Sequence, residues 1–381
     1  MNTTDHPDEH IDDEACPTCW AWDPLAASRT DADPPLDVLL CGTVFFDLIF
    51  TGLSHLPGPG EEIWSKGMGS CPGGIANLAT AAARLGLRTG LVAGFGDDAY
   101  ADWMWDTLSG QERIDLSASP RFKDFHSAIT VSMAYGDDRG MVTHGHPLPE
   151  PIDTYVAKAP AARAAVVDLS CNPTWVSALR DRDTLIFADV GFDETERWDL
   201  ETLAPLAHCH AFSPNAVEAM NYTRTSTPSE AVRKLAELVP LAIVTDGVRG
   251  SYAIDQTTGE ESYCPAVGVH AIDPTGAGDV FAAAMVLGTL ASWPLDQRLR
   301  FASLCSALAV QQFGGSLAAP GWGDISDWWR CLRRRAEAGD LRADFERRDY
   351  AFLSSIVPTH RVQGVRRAQG TFALASDAGH H

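Results

Sequence analysis

Short apolar runs separated by helix-patterned stretches constrain this chain more than any other feature. The runs at 38–44, 89–94, 164–169, 184–190 and 241–245 are too short for helices and rich in Val, Leu and Ile, so they read as buried strands. Between the first two lies Ile75-Ala-Asn-Leu-Ala-Thr-Ala-Ala-Ala-Arg-Leu85, an Ala-rich helix stopped by Gly86. Such alternation predicts a doubly wound α/β fold, a mostly parallel sheet with helices on both faces.

Two segments break the pattern. Residues 48–70 mix polar and apolar side chains around Pro57-Gly-Pro-Gly60, which predicts two exposed strands joined by a turn. Residues 127–135 alternate and are followed by Gly136-Asp-Asp-Arg-Gly140 and Met141-Val-Thr-His144, a hairpin signature. Together, 48–70 and 126–146 predict a small β-sheet lid standing off the main sheet. Residues 1–36, rich in Asp, Glu, Thr and Pro with no apolar period, read as a disordered acidic tail. The ordered domain is expected at 37–330. Residues 331–381 read as an extension of surface helix and loose end, with Arg333-Arg-Arg335 and Arg347-Arg348 on a solvated face.

The formal net charge of -22 repels polyanions, so nucleic acid and anionic membrane surfaces are not expected partners. An anionic nucleotide can still bind where backbone N–H groups and a cation outweigh the distant field. No run reaches the ~20 apolar residues of a membrane span. Nine cysteines at irregular spacing read as reduced thiols, and a cytoplasmic protein is expected. Cys16-Pro-Thr-Cys19, with His6 and His10 upstream, lacks a second ligand pair at zinc-finger spacing and reads as a chance pair.

The chemistry concentrates in Asp273-Pro-Thr-Gly-Ala-Gly-Asp279, which lies between an apolar run and a helix pattern over 280–290. Gly276, Ala277 and Gly278 let backbone N–H groups approach an anion, and a helix N-terminus adds partial positive charge there. A developing charge on a transferred phosphoryl group would be stabilised in that anion hole. Asp279, in the first turn, is placed to take the proton of an attacking hydroxyl. Alone, the same residues fit a helix cap and a turn equally well.

This run, with three others, resembles the ribokinase-like (PfkB) carbohydrate kinases. The others are Pro72-Gly-Gly-Ile-Ala-Asn77, Ser213-Pro-Asn215-Ala-Val-Glu218 and Val244-Thr-Asp-Gly-Val-Arg-Gly250. They fall in the family's order across roughly 37–325. The resemblance implies a ribokinase-like fold with a lid, ATP and Mg²⁺ as cofactors, and a sugar substrate. It implies that Asp47, Gly73, Gly74 and Asn77 bind sugar hydroxyls. Asn215 and Glu218 would organise Mg²⁺, Glu218 through water, and Thr245, Gly247 and Gly250 would border the nucleotide. Asp273 and Thr275, with the loop at 312–316, would offer oxygens to K⁺. Trp64, Ser127, Thr130 and His144 would set specificity. A nucleoside kinase would need an aromatic wall, for which Phe45, Phe46, Trp64 and Phe125 are the candidates. A sugar-binding regulator without turnover is the other alternative, opposed by the intact Asp279. A nicotinamide dehydrogenase fails because no GxGxxG follows the first strand. Exposed lid edges predict a homodimer.

Overall fold

The computed structural model describes residues 22–135, 138–169, 175–191, 193, 195–360, 362, 365 and 367. Its strands are β1 (Leu36–Cys41), β2 (Val44–Leu53), β3 (Gly67–Gly74), β4 (Thr89–Val92), β5 (Ala128–Tyr135), β6 (Asp138–His144), β7 (Ala162–Asp168), β8 (Leu185–Asp189), β9 (Ala211–Phe212), β10 (Leu241–Thr245), β11 (Ser251–Asp255) and β12 (Glu260–Cys264). Eight form one sheet in the order β12-β11-β10-β9-β8-β7-β1-β4. The strands from β4 to β10 pair in parallel, and β11 and β12 close the edge as an antiparallel hairpin.

The parallel strands are mostly apolar because both faces are covered. Val38 and Leu40 feed one core, while Leu39 feeds the other. The helix Ala277–Leu290 is buried nearly all round from Val280 to Leu290. Its N-terminus is therefore held by packing along its whole length, which fixes Asp279 in its first turn.

The lid is a four-stranded sheet in the order β3-β2-β5-β6. Its strands differ in detail from the sequence expectation. β1 ends at Cys41 and the chain pairs again from Val44, so the single run read at 38–44 is split between two sheets and Asp47 lies inside a lid strand. The glycine-rich stretch 72–74 is itself strand, paired with β2. Side chains from β2 account for this: a Cβ on Gly73 would lie 1.9 Å from Asp47 Oδ2, and one on Gly74 2.7 Å from the Phe45 ring.

Two domain edges also shift. Residues 22–35, assigned by sequence to the tail, pack on the domain: Leu25 is 1% exposed, and Arg29 joins Asp23 and the buried Asp37. The helix Trp322–Glu337 runs through position 330 because Trp322, Ile325, Trp329 and Leu332 form one apolar stripe. The Arg clusters pair with Asp340 and Asp344 on the surface, as a solvated face does. Cys16, Cys19, His6 and His10 lie outside the described residues. No described helix is long and apolar enough to cross a membrane.

Candidate active site

Four chain segments meet at the N-terminus of the helix Ala277–Leu290. Gly276 caps it with φ 75°, a left-handed conformation that glycine adopts without strain. A Cβ there would also sit 3.1 Å from Gly315 Cα, so the two backbones approach closely. No side chain caps the helix. The Ala277 N–H donates to Pro274 O at 3.2 Å. Among the described residues, those of Gly276, Gly278 and Asp279 donate to no protein acceptor. The space where a Cβ of Gly278 would point is open to 4 Å. Unpartnered donors at a positive helix end, with open space at Gly278, suit an anion. Of the expected anion-hole donors, Gly276 and Gly278 keep free N–H groups while that of Ala277 is taken by Pro274 O.

Asp279 is half-buried and accepts a hydrogen bond from Asn77 Nδ2 at 3.2 Å. Burial pushes its carboxyl up to about 6, against the lowering effect of Asn77. Asn77 stands in the first turn of the helix Ile75–Arg84. Its other polar atom, Oδ1, is buried without a partner. An acceptor left unsatisfied at such a place costs about 1–3 kcal/mol, which a ligand hydroxyl would recover. Gly315 backs the same side chain: a Cβ there would meet Asn77 Oδ1 at 2.4 Å.

In the lid strand β2, Asp47 is 8% exposed. Burial, reinforced by the Asp273 charge and opposed by Arg139, pushes its carboxyl up to about 7. A carboxyl titrating there can donate or accept toward a hydroxyl. Gly73 makes room for it, as described above. Gly74 (φ 63°) turns the chain from β3 into the Asn77 helix. Asp273, buried, accepts from the Thr275 N–H (2.9 Å) and hydroxyl (2.6 Å) and from the Gly314 N–H (3.2 Å). The loop at 312–316 therefore does reach Asp273.

On the other side, Asn215 and Glu218 close a capping box. The Glu218 N–H donates to Asn215 Oδ1 (3.0 Å), and the Asn215 N–H donates to Glu218 Oε2 (2.9 Å). Asn215 bridges to Thr245, whose N–H donates to Pro214 O at 3.2 Å. Gly247 (φ 53°) faces open space, beside Val248, which is 91% exposed. Gly250 is required by its neighbours: a Cβ would lie 2.1 Å from Cys264 O.

Sequence reasoning missed three residues. Arg139, in β6, donates to the Thr275 hydroxyl and bears on the Asp47 charge. Asp168 and Asp189 end neighbouring strands at the same register. Burial, reinforced by Glu218, Asp279 and Asp168, holds the Asp189 carboxyl well above the usual range. The apolar strands that end in these Asp residues were the available signal, since open α/β sheets bind ligands at carboxyl strand ends. Of the aromatic wall candidates, Phe46 packs into the core against Tyr100 and Trp103, and Trp64 is 89% exposed.

A model of the pfkB family carbohydrate kinase matches residues 36–321. A fructokinase of Klebsiella pneumoniae is 28% identical over 281 residues, covering 66% of this chain and 89% of the relative. A ribokinase of Bacillus subtilis is 24% identical over 314 residues, covering 76% and 98%. The structure of Arabidopsis thaliana ribokinase complexed with ribose and ATP aligns with TM-score 0.63 and 22% identity, over 77% of this chain and 99% of that one. That likeness shows a ribokinase-like α/β fold. With the family's model spanning most of its length, the chain belongs to the pfkB family of carbohydrate kinases.

Proposed function

We propose that this chain transfers the γ-phosphoryl group of ATP to an alcohol group of a small sugar or sugar-like substrate, with Asp279 as general base. The observation that carries the reading is the pairing of Asp279 with unpartnered N–H groups at one helix start. Asp279 takes the hydroxyl proton as the substrate oxygen bonds to phosphorus and the bond to the departing diphosphate breaks. The Gly276, Gly278 and Asp279 N–H groups receive the charge that develops on the phosphoryl oxygens. Asn77 orients Asp279 and offers Oδ1 to a second hydroxyl. Asp47, seated over Gly73, holds the sugar from the lid side.

The residues present suit nucleotide and metal. Gly247 borders open space, and the Asn215–Glu218 pair lies next to Thr245. Glu218 Oε2 is used in the capping box, which leaves its second oxygen toward a hydrated cation. Mg²⁺ supplies charge neutralisation at the phosphates when bound. Asp273 and Thr275 are the proposed neighbours of K⁺.

The burial of Phe46 removes one wall for a nucleobase and favours sugars over nucleosides. A panel of sugars and nucleosides, assayed for ADP release with Mg²⁺ in potassium or sodium salts, tests the reading. Turnover on a sugar is expected, faster in potassium. Turnover confined to nucleosides, or sugar binding with no ADP released, would overturn it.

A homodimer through the lid belongs to the same reading. The edge strand β6 presents Met141 and Val142, 58% and 63% exposed. Light scattering on the purified chain should give twice the monomer mass, and Val142→Glu should return the monomer.

A further inference from the structure

The lid carries a cluster that phosphoryl transfer does not use. His126 precedes β5, His144 ends β6, and His146 follows two residues later. One ring nitrogen of each lies within 4.8 Å of one from each of the others. The ring centroids are 5.2 Å apart for His126 and His144, 4.6 Å for His126 and His146, and 5.3 Å for His144 and His146. All three side chains are exposed.

Local structure explains why they meet. The antiparallel pairing of β5 with β6 sets His144 opposite Ile129, beside the start of β5. Gly145 then lets the chain fold against that start: a Cβ there would lie 2.9 Å from Ala128 Cβ. His126 is anchored through its neighbour. The Ser127 N–H and hydroxyl both donate to Asp98, at 2.6 and 2.9 Å. His126 Nδ1 lies 3.1 Å from Ser127 O. A proton on Nδ1 donates to that carbonyl and leaves Nε2 as a lone-pair donor, the arrangement in which imidazole ligates a metal.

We infer that His126, His144 and His146 form a zinc site that ties the entry of β5 to the exit of β6. Tetrahedral zinc with bonds of 2.0–2.1 Å places its donor nitrogens about 3.4 Å apart, so side-chain rotation of about 1 Å completes the set. Exposed rings make such rotations readily. The donor set is all imidazole, with no carboxylate, which suits Zn²⁺ and its borderline neighbours and not Mg²⁺ or K⁺. The site is thus separate in ligand chemistry from the phosphate end of the cleft. The fourth position faces solvent and takes water. Bound zinc would cross-link the outer lid hairpin at its root and stabilise the folded chain by mass action.

The test is calorimetric titration of the chelator-treated full chain with Zn²⁺, without nucleotide. One saturable site per chain is expected. His144→Ala and His146→Ala should each weaken it by about tenfold or more. His208→Ala, at an exposed histidine elsewhere, should leave it unchanged. Zinc should raise the melting temperature of the unsubstituted chain and not that of the His144→Ala variant. Proton NMR needs no variant: three of the twelve histidine ring signals should shift on adding one equivalent. Binding that survives both lid substitutions, or that is lost instead in Cys16→Ser, would overturn the inference. So would an NMR response spread over all the histidines or absent altogether.

Discussion

Asp279→Asn should cut kcat by about 10²–10⁴-fold while ATP binding, measured by calorimetry, stays intact. Asparagine keeps the size and can still accept from Asn77, but it cannot take the hydroxyl proton. The folded protein should not suffer. The Asp279 carboxyl is raised from 3.8 to about 6, so its contribution is fully present below pH 3.8 and is lost as pH rises through 6. At pH 8 the ionised group is a cost, and the substitution should stabilise the chain by on the order of 2 kcal/mol. A higher melting temperature with lost turnover separates a base from a structural cap, because loss of a cap lowers stability. The same value fixes the pH profile. At saturating sugar, kcat of the unsubstituted enzyme should fall as pH drops through about 6, about tenfold per unit below it. Asp47, pushed up to about 7, should shape KM in that range instead. A variant that keeps most of its kcat would remove Asp279 from the role of base.

The largest loss of stability should come from Arg84→Met. Arg84 donates to both oxygens of Glu112, at 2.9 and 2.7 Å, and to the carbonyls of Leu317 and Ala319, at 3.1 and 2.7 Å. Its side chain is 3% exposed and that of Glu112 is 7% exposed. Removing the guanidinium strands a buried carboxylate and the Leu317 carbonyl, while Ala319 O keeps Arg367 Nη1 at 3.3 Å; the loss should cost about 3–5 kcal/mol. Urea unfolding monitored by circular dichroism measures it. Adding Glu112→Leu should recover much of the loss, since an apolar pair removes the unpaired charge. The effect should reach the site as well. Arg84 ends the helix that carries Asn77 and pins the segment after Gly315, which backs the Asn77 side chain. A rise in sugar KM in the single variant, reversed in the double, would show that link.

What the sequence made legible is chemistry written in consecutive residues. Gly276, Gly278 and Asp279 are near neighbours in sequence at one helix start, reached from a loop rather than from a strand, so local spacing alone brought them together. Asn77 was placed by resemblance, and the structure puts its amide on Asp279. The contributions that stayed hidden come from distant segments. Arg139 reads as part of a hairpin turn until the lid folds over Thr275. Asp168 and Asp189 read as strand ends, and only the parallel register of β7 and β8 makes them neighbours. The second lid strand was expected by residue 70, but its run through Gly73 and Gly74 was missed because glycines carry no alternation of side chains; its partner β2 supplies the groups that cover it. The tail boundary was missed because only two apolar residues, Trp22 and Leu25, dock it on the core, and two residues make no period.

The capping box at Asn215 and Glu218 has an evolutionary consequence. The same two side chains start a helix and, in the proposed reading, face the phosphates. Selection on cofactor preference is then pleiotropic, because most exchanges at either position also fray the helix. Glutamine at 218 is the exit from that linkage: it can still cap the Asn215 N–H but carries no charge. Glu218→Gln is therefore the substitution through which drift, or an engineer, could retune the cofactor without first unravelling the scaffold.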